Sequence, residues 1–589
     1  MNRVRKAAFA AGLLSLCACA TTGTTSNGSG GQREARFGAV PLPARRQVRT
    51  LRERAPSLRA GQEVGPTVAE WRLTGPLPAA IDRAHEPLAW STTDPLEQVA
   101  QRAAPPTVRT SEALRCFARE LAQYSVRNPG VAPPTVNHYL AAACGLSQPG
   151  RVHVSSIRAA SESASTEAIL AQLGNQLADQ LRPLLAGAAD GAGVAIARDR
   201  LELHVAIVAR EEVAAFDTVT MGASNECVVR GQVRGASEQD AILVMANTRD
   251  GGVRVCAPEQ GILAPRFGVR CPASADGAPE FVEVMHVPRG RLLGRSVGTM
   301  LVGGSAEGRL LWSTAAHAPI TFTDATATRA AMEAVVNGQR RSLGLAPLVF
   351  NAEENAAICP LGAYSIAAIS GAGNNDEAEV AMLAMMAGWG VDGRIRGAAV
   401  GANALTTRDA STLLASTLTL PSGRVSLLDP QAARAVLCPQ VVDAKFIGLS
   451  YATWQLVDEQ RSHDVDAVWN RLDEERRRRG LAPVQRWTGA PRALSEAIAA
   501  IDSGRISPDD ILQTLSQSAV NESATSVRAM AFAVLAPAGA PMQLPDELLA
   551  TSLSTAQIAT TWYRAPRAPW AVRLVLVLVP SGVTSTATV

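Results

Sequence analysis

Arg340-Arg341-Ser342-Leu343-Gly344-Leu345-Ala346-Pro347 recurs as Arg476-Arg477-Arg478-Arg479-Gly480-Leu481-Ala482-Pro483, with six of eight positions identical at an offset of 136 residues. An amphipathic helical pattern precedes each copy, and Met332 and Val336 become Val468 and Leu472 at the same offset. Glycine just past a helix end supplies the positive φ of a C-cap, and a proline shortly after it stops the helix. Downstream, both copies run through helical segments and end in strands. Those strands are Phe446 to Leu456 in one copy, and Ile558 to Tyr563 with Trp570 to Val579 in the other. A duplicated α+β unit accounts for the pattern, with units over residues 325–460 and 464–582.

Upstream, residues 106–212 open with Leu114, Phe117, Leu121 and Tyr124 at helical spacing. Val136 to Cys144 resumes a helix after the segment Asn128 to Pro134, and Ala168 to Leu181 forms another. Two strands follow, Gly193 to Ala197 and Leu201 to Val208, joined by a polar turn. Residues 213–318 change character. Short apolar runs (Val228-Val229, Ala241 to Met245, Val253 to Cys256, Phe267 to Cys271, Phe281 to His286, Ser296 to Val302) alternate with turn signals, which predicts an all-β sandwich. Residues 20–105 carry few sustained apolar patterns and read as a largely irregular tether and linker. Their basic stretch, Arg45, Arg46, Arg49, Arg52 and Arg54, has two readings: attraction to acidic headgroups, or a solvated linker.

Asn337, Arg340-Arg341 and Gly344-Leu345-Ala346-Pro347-Leu348 resemble the opening of the CAP domain, the family of cysteine-rich secretory proteins, antigen 5 and pathogenesis-related proteins. Pro421 to Pro430 resembles that family's "SPxHRxNLLDP" stretch, and Ile447 to Tyr451 its "hGhGhh" strand. Residues 325–460 match at three ordered places. Residues 464–582 share the first motif and the closing strands, and residues 106–212 share the helix order and the strand Gly193-Val194-Ala195-Ile196. The resemblance implies tandem α–β–α sandwich units with antiparallel sheets, alongside the all-β sandwich. Many members of the family hold a divalent cation with two His and two Glu. Residues 325–460 contain no His, and Gly423-Arg424 stands where the family has His-Arg. No catalytic residue, metal ligand or cofactor is therefore carried over.

The chain has 589 residues, enough for about three to five domains. Apolar residues make up 47% and charged residues 19%, which supports buried cores and excludes wholesale disorder. A net charge of +3 gives no broad phosphate-binding surface, so nucleic acid is not an expected partner. Arg3, Arg5 and Lys6 precede a short apolar run, Ala7 to Leu16, in the pattern of a signal peptide over residues 1–19. Leu16-Cys17-Ala18-Cys19 resembles the bacterial lipoprotein signal, which implies cleavage before Cys19 and its acylation. An ordinary signal peptide is the competing reading. The Gly/Ser/Thr tether Thr21 to Gly31 suits an anchored protein, and Ala20 in place of Asp points to the outer membrane. No other segment has the length and apolarity of a membrane span.

Six further cysteines pair as Cys116 with Cys144, Cys256 with Cys271, and Cys359 with Cys438, consistent with an oxidising compartment. Cys227 is left over, with Cys227–Cys256 and Cys227–Cys271 as alternatives. Gly294-Arg295-Ser296-Val297-Gly298 fits the G-x-S-x-G nucleophile pattern, but it lies in a β-rich stretch rather than at a strand-to-helix elbow. Gly388 to Gly393 fits G-x-G-x-x-G but follows a helical run, so it reads as a helix-ending turn. His138, His204 and His286 read as packing residues, and His85-Glu86 does not extend to H-E-x-x-H. Glu353-Glu354 and Asp376-Glu377 read as solvated carboxylates. Trp562, Tyr563 and Trp570 read as core, with an exposed ligand platform as the alternative.

Together these features predict a lipid-anchored cell-envelope protein that binds a partner protein, a glycan or an apolar ligand without catalysis. The rival is a divergent hydrolase of peptides or cell-wall material with Ser296 as nucleophile.

Overall fold

A computed structural model describes residues 16–17, 42–56, 70–72, 80–81, 87–128 and 132–580, apart from short internal segments, the longest being 273–279, 304–309, 314–319, 458–464 and 535–543. The fold is α+β. The four-stranded sheet of residues 325–460 runs Val349–Phe350, Arg434–Asp443, Phe446–Leu456, Ile395–Leu405, with only the short edge strand parallel. The last four-stranded sheet has the same order: Gln485–Arg486, Thr555–Tyr563, Val572–Pro580, Val527–Val534, again with a short parallel edge. Residues upstream form a three-stranded sheet ordered Arg151–Arg158, Glu202–Arg210, Gly191–Asp199. In all three the last strand in sequence is flanked by the first and second long strands. Two helices precede the first long strand each time: Glu112–Arg127 and Pro134–Ala143, Ala352–Ile369 and Asn375–Ala387, Pro491–Asp502 and Pro508–Ser523.

Strand alternation sends neighbouring side chains to opposite faces, so each four-stranded sheet has two cores. In residues 325–460, Leu437, Leu449 and Tyr451 face the helix Ala325–Ser342 through Met332 and Val336. Val436, Ala452 and Trp454 face the helices on the other side through Ile358, Met382 and Met385. The last unit repeats this, with Val575 and Val577 on Leu472 and Leu574, Leu576 and Leu578 on Leu494 and Leu515. Both are layered α–β–α.

The repeated octapeptide closes the first helix of these two units. Asp324 caps Ala325–Ser342 by accepting from the amides of Thr326 and Ala327 at 2.8 Å each, and Gly344 at φ +72° turns the chain out of the helix. Gly480 does the same at φ +69° after Asp466–Arg478. Arg340 and Arg476 turn inward and are fully buried. Arg340 donates to the carbonyls of Ala346 (2.7 Å), Leu427 and Asp429 (2.9 Å each) and Ala432 (3.4 Å). Arg476 donates to those of Ala482 (2.7 Å), Leu548 (3.2 Å), Ala550 (2.9 Å) and Leu553 (3.0 Å).

Residues 213–318 form two facing five-stranded sheets. One joins Glu226–Val233, Arg266–Pro272 and Ala214–Met221 with the short strands Ala80–Ile81 and Ala257–Pro258. The other joins Ala241–Asn247, Glu280–Val287 and Gly294–Val302 with the short strands Val253–Val255 and Leu16–Cys17, the last lying in the segment read as a signal peptide. Phe216, Val229, Phe267, Val284 and Met300 fill the space between them.

Several elements depart from the sequence reading: the helix Pro95–Ala103 lies in the segment read as an irregular tether, and the strands Ala214–Met221, Ile395–Leu405, Arg434–Asp443 and Val527–Val534 are absent from it. The basic stretch, read as part of an irregular linker, is the helix Arg45–Glu53, which docks on residues 325–460 while Arg45, Arg46, Arg49 and Arg54 stay exposed. Val48 is 1% exposed, Arg45 lies over the Trp389 ring at 4.8 Å, and Arg52 donates to the Trp389 carbonyl at 3.0 Å. The spacing of Val48 and Leu51 was too sparse an apolar signal beside five arginines. Strand Arg151–Arg158 was also missed, because no position along it is fully buried and few apolar residues mark a face.

Candidate functional site

Ser296 lies inside the strand Gly294–Val302, which continues six residues past it instead of turning into a helix, so the nucleophile elbow is absent. Its hydroxyl is 3.4 Å from that of Thr299 and hydrogen-bonds the carboxyl of Glu283 on the neighbouring strand. Glu283 is wholly buried and also accepts from the Ser422 amide at 2.8 Å and the Ser422 hydroxyl at 3.2 Å. Burial pushes the Glu283 carboxyl above its ordinary pKa, and those hydrogen bonds partly oppose the shift. His138, on the helix Pro134–Ala143, reaches the same pair of strands, lying edge-on to Phe281 at 5.5 Å. Its Nδ1 is 2.8 Å from the Pro134 carbonyl, and the backbone of Thr299 also binds the ring. Burial lowers its pKa to about 4, against those main-chain bonds, so the ring is neutral at physiological pH. Serine, carboxyl and imidazole thus gather in one region, but the imidazole binds main chain where a nucleophile's base would have to bind the hydroxyl.

Ser422 belongs to the short helix Pro421–Leu427, inside the stretch that resembles the family's His-Arg motif. A Cβ on Gly423 would collide with the Thr417 carbonyl, so no histidine fits there. Arg424 donates to the Leu418 carbonyl at 2.8 Å and to that of Thr248, in the sandwich, at 3.4 Å. Met245 and Met285 of the sandwich close over Val425. This position holds two parts of the molecule together.

The remaining candidates also have structural surroundings. Gly388, at φ +60°, is the C-cap of Asn375–Ala387, as a helix-ending turn requires. Glu353 is exposed, but Glu354 is 2% exposed and accepts from the Asp392 amide at 3.1 Å and from Arg434 at 3.3 Å; its reading as a solvated group is corrected. Asp376 and Glu377 are exposed in a first helical turn. His286 meets Asp240 at 2.8 Å, and this bond with those from Ser237 and Arg289 holds the Asp240 carboxyl far below the usual range. His204 is half-buried, 3.9 Å from Glu202. His85, Glu86 and Cys19 lie outside the described residues.

Disulfides join Cys116 to Cys144, Cys256 to Cys271, and Cys359 to Cys438. Cys227 is a buried free thiol opposite Cys271 across paired strands. Desolvation, and after it the charge of Glu280, pushes its pKa up to about 12, which leaves it protonated and unreactive. Among the described residues no three His, Cys, Asp or Glu side chains gather as a metal site, and no helix is long and apolar enough to cross a membrane.

The aromatic cluster divides. Trp570 is 4% exposed and enters the core of residues 325–460, where its indole N–H donates to the Met386 carbonyl at 3.1 Å. Ala571 donates to the Ile395 carbonyl at 2.6 Å, which joins the last unit to the one before it. Trp562 stays half-buried, with Arg396 and Arg573 over its ring at 5.6 and 5.7 Å. It borders a cleft that Arg394 and Asp502 also line. Sequence reasoning missed both residues, which lie more than a hundred positions apart in a chain rich in arginine.

No family model matches the chain, and no curated protein matches it. Among solved structures, a cysteine-rich secretory protein from Staphylococcus aureus subsp. aureus Mu50 is similar over 45% of this chain and 86% of its own length, at 11% identity and a TM-score of 0.17. A likeness that slight supports no inference about function.

Proposed function

We propose that this chain is a lipid-anchored protein of the bacterial cell envelope, exposed to an oxidising compartment, whose degenerate CAP-like units bind an envelope partner, a glycan or an apolar ligand without turning it over. One observation carries the non-enzymatic reading. The junction where a serine, a carboxyl and an imidazole approach one another is a packed interface: Ser296 and Ser422 bind the Glu283 carboxyl, His138 binds main chain, and Gly423 has no room for a side chain. Three disulfides support export. The lipoprotein-like segment ending at Cys19 supports an anchor, and Ala20 favours the outer membrane.

Two measurements test this. Cys19→Ala should abolish acyl labelling and move the protein from the membrane to the soluble fraction; retention of both would overturn the anchor. The purified protein should hydrolyse peptide, ester and murein substrates no faster than a blank, with Ser296→Ala indistinguishable from wild type. Saturable turnover lost in Ser296→Ala would establish the hydrolase instead.

A further inference from the structure

The helix Arg45–Glu53 uses its two faces differently. Val48 is buried and Leu51 half-buried against residues 325–460. There the Tyr364 hydroxyl donates to the Leu51 carbonyl at 2.9 Å, and the Trp389 indole N–H donates to the Pro43 carbonyl at 2.9 Å. These contacts fix the helix, so its outer face is presented in one orientation. Arg46 and Arg49, three residues apart, share that exposed face. Arg45, exposed at its border, lies over the half-buried Trp389 ring. Among the described residues no carboxylate forms an ion pair with any of the three. The acidic groups stand apart from them. Glu53 closes the helix, Glu377 shares the surroundings of Tyr364 with Arg54, and Asp392, three residues past Trp389, is 3.5 Å from Arg434.

Positive charge thus gathers on the first half of the helix, the end that leads back towards Cys19. Residues 20–44 separate the two, so the helix begins within about 90 Å of that cysteine even at full extension. Guanidiniums on a convex helix face meet a broad anionic plane, whereas a single small ligand calls for a concave set of donors. Guanidinium pairs with phosphate oxygens, and tryptophan is at home at headgroup level. The apolar face is already spent on residues 325–460, so the helix can lie against headgroups without entering the acyl layer. We infer that the outer face of Arg45–Glu53 rests on the anionic phospholipid headgroups of the leaflet that holds the acyl chains, and so sets which way residues 325–460 face the membrane. This rests on the anchor reading above and adds an orientation to it. Two or three arginines orient a chain that lipid already holds; at physiological salt they do not retain one without it.

Vesicle flotation tests it on the mature chain carrying Cys19→Ala, exported behind an ordinary signal peptide and so lacking acyl chains. At low salt it should bind vesicles of phosphatidylethanolamine and phosphatidylglycerol at least about tenfold more tightly than vesicles of phosphatidylcholine, and high salt should erase the difference. The double variant Arg46→Gln, Arg49→Gln should lower binding to the anionic vesicles by about tenfold or more, since each arginine near such a surface is worth about fivefold. Its melting temperature should not change, because both side chains are exposed. The pair Arg341→Gln, Arg477→Gln removes the same charge from two exposed positions elsewhere and should leave binding as it was. Millimolar glycerol phosphate should not displace the chain. No preference for anionic vesicles, a preference that survives Arg46→Gln, Arg49→Gln, an equal loss in the second pair, or displacement by glycerol phosphate would overturn the inference. Acyl labelling of the wild-type chain reads the anchor separately. A labelled chain without the vesicle preference loses this face and keeps the anchor, whereas an unlabelled chain overturns the anchor and the orientation with it.

Discussion

Arg340 and Arg476 show how a buried charge can be a fold determinant. Each sits one residue before an exposed arginine, yet each is sealed inside its unit and spends its donors on four main-chain carbonyls. Those carbonyls belong to the turn after the helix and to the segment leading into the strand Arg434–Asp443 in one unit and Thr555–Tyr563 in the other, so one side chain fixes the distance between them. Removing a buried guanidinium leaves its acceptors without donors, and such losses run to about 3–5 kcal/mol. Arg340→Leu and Arg476→Leu are each expected to destabilise their own unit by that order in urea unfolding. The Lys variants should rescue little, because an ammonium cannot span the four acceptors. The octapeptide was legible as a repeated helix end with a glycine cap. That the first arginine of each copy points inward was not, because identity at offset 136 marks a constrained position without saying which way its side chain turns.

Between elements, the contact of strand Glu280–Val287 with helix Pro421–Leu427 is the sharpest departure from what the motifs suggested. The G-x-S-x-G pattern and the "SPxHRxNLLDP"-like stretch were each readable, but 126 residues separate Ser296 from Ser422, and only the fold brings both to Glu283. Six of the sandwich strands and the helices ending at the two octapeptides were visible from periodicity; the sandwich strand Ala214–Met221, the helices Pro491–Asp502 and Pro508–Ser523, the docked basic helix and the half-exposed edge strand were not. Glu283 makes the junction sensitive to pH. Its folded pKa lies above the unfolded value of about 4.3, so the folded state holds the extra proton, and stability from this group falls as pH rises from there through the folded pKa. Glu283→Gln removes that dependence. The melting temperature of the variant relative to wild type should therefore rise between pH 5 and pH 8; a difference that shrinks over that range would show that burial does not raise the carboxyl's pKa.

Over the whole molecule, one sheet order occurs three times, and the units interlock through residues that each lends to another. Trp570 fills a core belonging to residues 325–460, the helix Arg45–Glu53 caps the same unit, and Glu283 ties the sandwich to it. Residues 325–460 are thus the hub. The repeat could be read from eight residues, whereas these exchanges could not, because each pairs one residue with a surface assembled from distant sequence. For the binding function proposed above, the most direct test is native mass spectrometry of the chain after incubation with an extract of the source cell's envelope. The account predicts a discrete adduct of constant mass that dissociates unchanged. A chain that emerges without adduct while cleaved envelope material accumulates would contradict it.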